Sequence, residues 1–150
     1  MKVAKTTVAI ENGNPRKEAS EDGQRLAYDI SVEFSVPREV VDDLIGVPGW
    51  TNQFYAGDDT RLEHVYPITY GPRVEDLKVK LYIGLKPMVF DGARIGKGAK
   101  LTPLVGQYFQ VSCKLQVYPT RDQAGRLDEA VKESAELEIE PMTAALLDVA

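Results

Sequence analysis

Four stretches of this chain alternate apolar and polar residues with a period of two, and that pattern constrains the fold most. Leu26, Tyr28, Ile30, Val32, Phe34 and Val36 alternate with Ala27, Asp29, Ser31, Glu33 and Ser35. Leu77, Val79, Leu81, Ile83 and Leu85 repeat the pattern, ended by Pro87. Residues 107–118, with Phe109, Val111, Cys113, Leu115 and Val117 on one face, read as the longest strand, stopped by Pro119. Ala135, Leu137 and Ile139 alternate with Glu136, Glu138 and Glu140. Side chains on a strand point to opposite faces in turn, so each stretch reads as a strand with one face buried. Weaker strand signals lie at 3–10, at 62–70 (around Val65 and Ile68, bent at Pro67) and at 88–95. Residues 12–24 read as a mobile hairpin connection, because Asn12-Gly13-Asn14-Pro15 and the charged run behind it are turn formers.

Helical signals are short. Pro37 suits the first turn of a helix on which Val40, Val41, Leu44 and Ile45 share a face, and Gly46 can end it. Asp122 to Glu133 suits a loop and a second helix with Leu127, Ala130 and Val131 on one side. The expected architecture is therefore mainly β: a small antiparallel barrel or sandwich, resembling the oligonucleotide-binding fold, with one or two short helices. With 150 residues, 43% of them hydrophobic, the chain reads as one domain spanning 1–150, with 142–150 a docked or flexible tail.

Composition excludes several chemistries. One Cys and one His leave no internal disulfide, no multi-Cys zinc site and no ordinary His-based metal site. Cys113 lies on an apolar stripe and reads as a small buried hydrophobe. No apolar run approaches a membrane span, and Met1 to Thr7 lacks the apolar core of a signal peptide. A cytoplasmic location is expected, that of the host cell if the protein is phage-encoded. Gly96-Lys97 is followed by Gly98 rather than Ser or Thr, so no P-loop is present. Asp42-Asp43 and Asp58-Asp59, the latter near Glu63, read as solvated surface and turn chemistry. Asp76-Leu77-Lys78 matches the acid-x-Lys fragment of metal-dependent nucleases, without an evident acidic partner upstream. No cofactor is expected, and a non-enzymatic role is favoured.

The formal net charge of −5 conceals three segments. Residues 1–77 carry 8 basic and 14 acidic side chains, residues 78–126 carry 9 and 2, and residues 127–150 carry 1 and 7. The basic segment coincides with two strands whose polar faces interleave cations and rings: Lys78, Lys80, Tyr82 and Lys86 on one, Tyr108, Gln110, Ser112, Lys114, Gln116 and Tyr118 on the other. A basic loop, Arg94, Gly96, Lys97, Gly98 and Lys100, lies between them in sequence. Cations that track phosphates beside rings that stack on bases are what single-stranded nucleic acid binding requires. The candidate site is thus Lys78, Lys80, Tyr82, Lys86, Arg94, Lys97, Lys100, Tyr108, Lys114 and Tyr118, with single-stranded DNA as partner. The competing reading has Glu136, Glu138 and Glu140 neutralise those lysines across neighbouring strands. In the runner-up function, Trp50, Phe54 and Tyr55 in the 46–60 loop, or the acidic C-terminal segment, anchor a protein partner, with sheet edges open to a second copy of the chain.

Several short motifs carry a resemblance. The run Asp91-Gly92-Ala93-Arg94-Ile95, the strand Tyr108 to Tyr118, Pro119-Thr120, Gln123-Ala124-Gly125-Arg126-Leu127 and the acidic strand Glu136 to Pro141 resemble small uncharacterised phage and prophage proteins, over residues 88–141. Some such proteins sit among replication and recombination functions, so the resemblance implies a DNA-linked role. The acidic closing segment is similar to the acidic tails with which bacterial single-strand-binding proteins recruit partners. This chain departs from them in ending Leu146-Leu147-Asp148-Val149-Ala150, without an acidic-aromatic peptide.

Overall fold

A computed structural model describes residues 1–20, 23–56, 66–84, 86–130 and 134–142. Eight strands run β1 Val3–Ser20, β2 Gly23–Pro37, β3 Ile68–Tyr70, β4 Val74–Ile83, β5 Lys86–Ile95, β6 Ala99–Pro103, β7 Tyr108–Val117 and β8 Ser134–Pro141. Two helices, α1 Arg38–Ile45 and α2 Arg121–Ala130, and a 3₁₀ turn at Trp50–Phe54 complete the fold. All pairings are antiparallel, in the order β2-β1-β8-β4-β5-β7-β6-β3. An additional β2–β7 pairing, from Tyr28↔Val117 to Pro37↔Tyr108, turns the sheet back on itself. Six strands, β1, β2, β7, β5, β4 and β8, thereby form a ring, one more than the five of an oligonucleotide-binding barrel. The expected mainly antiparallel, barrel-like class is what the chain adopts.

β6 and β3 lie outside the ring but continue strands that belong to it. β7 pairs first with β5 (Arg94↔Gln116, Ile95↔Leu115) and then with β6 (Lys100↔Ser112 to Pro103↔Phe109). Between the two, Gly96 N–H still donates to Lys114 O at 2.9 Å, and the chain bulges at Lys97-Gly98, where Gly98 takes φ +82°. Of the basic loop expected at residues 96–100 only this bulge is loop, since Ala99 and Lys100 already belong to β6. The bulge inserts extra residues into one strand and pushes Lys97 outward while pairing resumes.

The alternating stripes meet inside. Ile30, Val32, Leu77, Val79, Leu81, Phe90, Leu115, Val117, Leu137 and Ile139 are each no more than 2% exposed. A barrel this small is filled by its own side chains, so any ligand has to be met on its outer face or at its ends.

Each end carries a plug. At one, α1 begins at Pro37 and stops at Gly46, whose φ of 84° is the left-handed conformation glycine accepts freely. Phe54 and Tyr55 pack edge-on against Phe109 with centroids 5.9 and 6.3 Å away, and Trp50 meets Phe54 at 5.3 Å. At the other end α2 lies between the β1–β2 hairpin and the β4–β5 turn, burying Leu127 and Ala130. Arg126 Nη2 donates to Ile83 O at 3.0 Å, and Tyr28 donates to Asp128. A Cβ on Gly13 would lie 2.6 Å from the Tyr28 ring, so only glycine there leaves room for the tyrosine that holds α2.

Three local expectations change. Residues 12–20 are strand rather than mobile connection, paired with β2 as far as Ser20↔Gly23. The polar composition misled because that hairpin arm extends past the ring, where a strand needs no apolar stripe. β6 carries too few residues to register as a separate alternation. Pro87 does not end a strand but sits within β5, opposite Tyr82. Val65, Leu85, Val131 and the tail 143–150 lie outside the described residues.

Candidate nucleic-acid interface

β4 carries Lys78, Lys80 and Tyr82 on its outer face because Leu77, Val79 and Leu81 occupy the inner one. The neighbouring strand is β8, in the register Lys78↔Glu140, Lys80↔Glu138 and Tyr82↔Glu136. Lys80 Nζ lies 3.6 Å from Glu138 Oε1, and Tyr82 Oη donates to the same oxygen at 3.4 Å. Lys78 Nζ lies 3.9 Å from Asp91, and Lys5 sits 4.1 Å over the Tyr82 ring and 3.9 Å from Glu136. The charges of this face are met within the fold. Lys86 opens β5 beside it, its backbone paired with Ile83.

β7 faces another way. In the ring β5 stands between β4 and β7, so the two predicted strand faces do not form one surface. Outward from β7 point Tyr108, Gln110, Ser112, Lys114, Gln116 and Tyr118. Lys114 is opposite Ser31, Ser112 is opposite Glu33 on one side and Lys100 on the other, and Gln110 donates to Glu33 at 3.1 Å. Lys97, Lys100 and Lys114 are all exposed, and among the described residues none of the three enters an ion pair. Lys100 and Lys114 are diagonal neighbours on adjacent strands, roughly 7–8 Å apart by strand geometry. Tyr108 stands at the foot of this face, 48% exposed.

At the head of β7 the hairpin arm curls over the sheet and builds a network absent from the sequence-based list. Glu18 of β1 accepts from Arg16 Nη1 at 2.8 Å, Arg94 Nη2 at 3.2 Å and Tyr118 Oη at 3.1 Å, and Arg25 Nη2 stands 3.6 Å away. Arg16 Nε also donates to Asp29 Oδ2 at 3.0 Å, and Arg94 donates to Gln116. The Arg25 guanidinium stacks 3.5 Å from the centroid of the Tyr118 ring. Burial pushes the Glu18 carboxyl up, but donation from Arg16 and Tyr118 and the charges of Arg94 and Arg16 outweigh it and hold it below the ordinary carboxylate range. Arg16 is held above its ordinary value, chiefly by its bond to Asp29. Arg94 and Tyr118 thus join an ion-pair and hydrogen-bond network around Glu18 that their position in the chain gave no sign of.

Beyond Arg25 the surface opens into a cleft of ≈ 470 Å³ lined by Lys17, Gln24, Arg25, Leu26, Pro119, Thr120 and Arg121. Among the described residues no acidic side chain lines it. Thr120 and Gln123 form a reciprocal cap: Gln123 N–H donates to Thr120 Oγ1 at 3.2 Å and Thr120 N–H to Gln123 Oε1 at 3.0 Å. This is the physical content of the Pro-Thr-x-x-Gln bend, and the Thr-x-x-Gln spacing was the signal that marks where α2 starts.

The aromatic anchors expected in the 46–60 loop fare differently. Tyr55 is buried at 6% exposure, its hydroxyl donating to Leu104 O and Tyr108 O, both at 3.0 Å. Trp50 and Phe54 are half-buried against the core. They close the barrel because a ring facing the open end of a β-barrel gains more by covering Phe109 than by staying in water. Cys113 faces inward and burial pushes its thiol up to about 12. Asp76 occupies a bulge in β4 with φ 55°, and its carboxylate is exposed. Asp58, Asp59, Glu63 and His64 lie outside the described residues, and among those described no group of three His, Cys, Asp or Glu side chains is placed to hold a metal ion. No helix among the described residues is long and apolar enough to cross a membrane.

Comparison with protein-family models, with curated proteins and with solved structures finds no match to this chain.

Proposed function

We propose that this protein is a non-enzymatic, cytoplasmic single-stranded DNA-binding protein that lays the strand along the outer face of β7. One observation carries the reading: Lys100 and Lys114 stand exposed on the outer face of β6 and β7, with Lys97 exposed on the bulge next to it, without ion pairs among the described residues, while the β4 lysines are engaged. The same strand leads from Tyr108 past these lysines to Tyr118, Arg25 and the cleft with Lys17 and Arg121. Phosphates meet cations along this path, and Tyr108 supplies an exposed ring at its start. Uncharged Ser31, Ser35, Gln110 and Ser112 between the lysines add donors without adding repulsion. The resemblance of residues 88–141 to small uncharacterised phage and prophage proteins, some of which sit among replication and recombination functions, is in keeping with the same role.

The test is fluorescence anisotropy of a labelled oligothymidylate at low and raised salt. Salt-sensitive binding at micromolar protein, lost when Lys97, Lys100 and Lys114 are replaced by Gln, is expected. Absence of binding at low salt overturns the reading. A protein-binding role is the second reading, favoured by apolar residues standing in water at or near the α1 end: Val47, Tyr66, Val105 and Tyr108, at 50%, 77%, 72% and 48% exposure. Recovery of one stoichiometric protein partner together with no DNA retention would establish it instead.

A further inference from the structure

Glu18 collects more cationic donors than any other carboxylate described. Its two oxygens face three guanidiniums and a phenol drawn from four strands: Arg16 on β1, Arg25 on β2, Arg94 on β5 and Tyr118 just past β7. Arg16 has a second carboxylate in Asp29, whereas among the described residues the acidic partner of Arg25 and of Arg94 is Glu18. Forked guanidiniums and a hydroxyl converging on one point suit the two charged oxygens of a phosphodiester as they suit those of a carboxylate. The position also lies on the path proposed for the strand, between Lys114 and the Lys17–Arg121 cleft.

The parts differ in how firmly they are held. Arg94 sits on β5 and Tyr118 follows β7 directly, and both strands belong to the closed ring. Glu18 and its cross-strand partner Arg25 sit on the arm beyond Ala9, where β1 has lost its pairing with β8 and keeps only β2. A two-stranded ribbon is the least stable kind of sheet, so its free energy of displacement is lower than that of the ring.

We propose that Arg25, Arg94 and Tyr118 form a phosphodiester-binding cradle and that Glu18 occupies it as an internal anion, which the bound strand displaces. The Glu18 side chain then acts as a gate while Arg25 stays in place on the arm: without nucleic acid, Glu18 neutralises the cradle, and with it the phosphate takes over the same donors. The adjoining space of ≈ 180 Å³ between Arg25, Arg94, Tyr118, Gly92, Glu75 and Asp76 gives the displaced group's neighbour somewhere to sit. The identity of the ligand rests on the nucleic-acid reading; the existence of an anion cradle does not.

The experiment compares Glu18→Gln with Glu33→Gln, the same charge change on the same outer face, in oligothymidylate anisotropy. Removing the competing carboxylate is expected to tighten binding about tenfold for Glu18→Gln, the scale of one charge-assisted hydrogen bond set, and no more than about twofold for Glu33→Gln. Adding Arg94→Gln to Glu18→Gln is expected to abolish the gain. Equal gains in the two glutamate variants, or a gain that survives Arg94→Gln, overturn the proposal. In parallel, melting is followed in phosphate and in chloride at matched ionic strength. Phosphate is expected to raise the melting temperature of Glu18→Gln but not of the double variant; no difference overturns the cradle even if oligonucleotide binds through the lysines. If DNA binding is absent throughout while the phosphate effect is present, the cradle stands and the nucleic-acid reading falls. Should Glu18→Gln fail to fold, Glu18→Asp keeps the charge and withdraws it by one methylene. A gain of about threefold is then expected, and an unchanged affinity in the folded variant overturns the gate.

Discussion

Two lysine-bearing faces of this barrel, built from strands of one basic segment, end in opposite electrostatic states. On β4, Lys80 meets Glu138 and Lys78 meets Asp91, while the ring of Tyr82 lies under Lys5. On β6 and β7, Lys100 stands opposite Ser112 and Lys114 opposite Ser31, and with Lys97 on the adjoining bulge all three are exposed. The lysines are alike; their neighbours differ. β8 brings a glutamate to each outward position beside β4, whereas β2 brings Ser31 and Ser35 to the outer face beside β7, with Glu33 held by Gln110. A run of charge in sequence therefore becomes a usable surface only where the adjacent strand leaves it unneutralised.

The sharpest way to break this comparison is to exchange charge on each face in turn. Lys97, Lys100 and Lys114 changed together to Gln are expected to cost about 100-fold in oligothymidylate affinity at low salt and to flatten the salt dependence by about two units of slope. Lys78 and Lys80 changed to Gln are expected to cost little in the same titration. Equal losses from both faces would erase the distinction.

The converse experiment unmasks the quiet face. Glu136, Glu138 and Glu140 changed to Gln leave Lys5, Lys78 and Lys80 without carboxylate partners on β8, and affinity is expected to rise about three- to tenfold with a steeper salt dependence. An unchanged affinity would mean that position on the barrel, and not neutralisation, keeps β4 out of binding.

Acid sharpens the comparison at the arm. Glu18 has a carboxyl held below its unfolded value, so its contribution is complete above the unfolded pKa and is lost as pH falls through the folded one. Hydrogen exchange of residues 12–20 is therefore expected to accelerate at acid pH before that of β7 or β4, followed by mass spectrometry. Simultaneous loosening of ring and arm would show that the network is not what fastens the arm.

The smallest effect belongs to a single surface pair. Glu138→Gln alone is expected to lower stability by about 0.5 kcal/mol in denaturant melts, since Lys80 and Glu138 are both about one-third exposed and water screens them. A loss several times larger would make the β4–β8 face a structural element in its own right.

The strands that close the ring were legible because period two survives wherever one face is buried, as Ile30, Leu81, Leu115 and Leu137 illustrate. The α1 boundaries were legible for a local reason: Pro37 and Gly46 set their own backbone angles. The arm was not, because Arg16, Glu18 and Arg25 are satisfied by each other and by Arg94 and Tyr118, partners up to 100 residues away. The candidate site was half legible. Lys97, Lys100, Lys114 and Tyr108 were named from their outward positions, but nothing local separated them from Lys78, Lys80 and Tyr82. Tyr55 was misplaced because an aromatic in a polar loop gives no sign of whether a barrel end lies beneath it.

By itself the sequence determined what depends on near neighbours: which residues alternate, where a helix starts and stops, and that the interior is apolar. Only the tertiary structure decided which strand lies beside which, and with it which lysines keep their charge available. Pairing between distant strands follows from the packing of the whole barrel, and electrostatic neutralisation acts through space over a few ångströms, irrespective of separation along the chain.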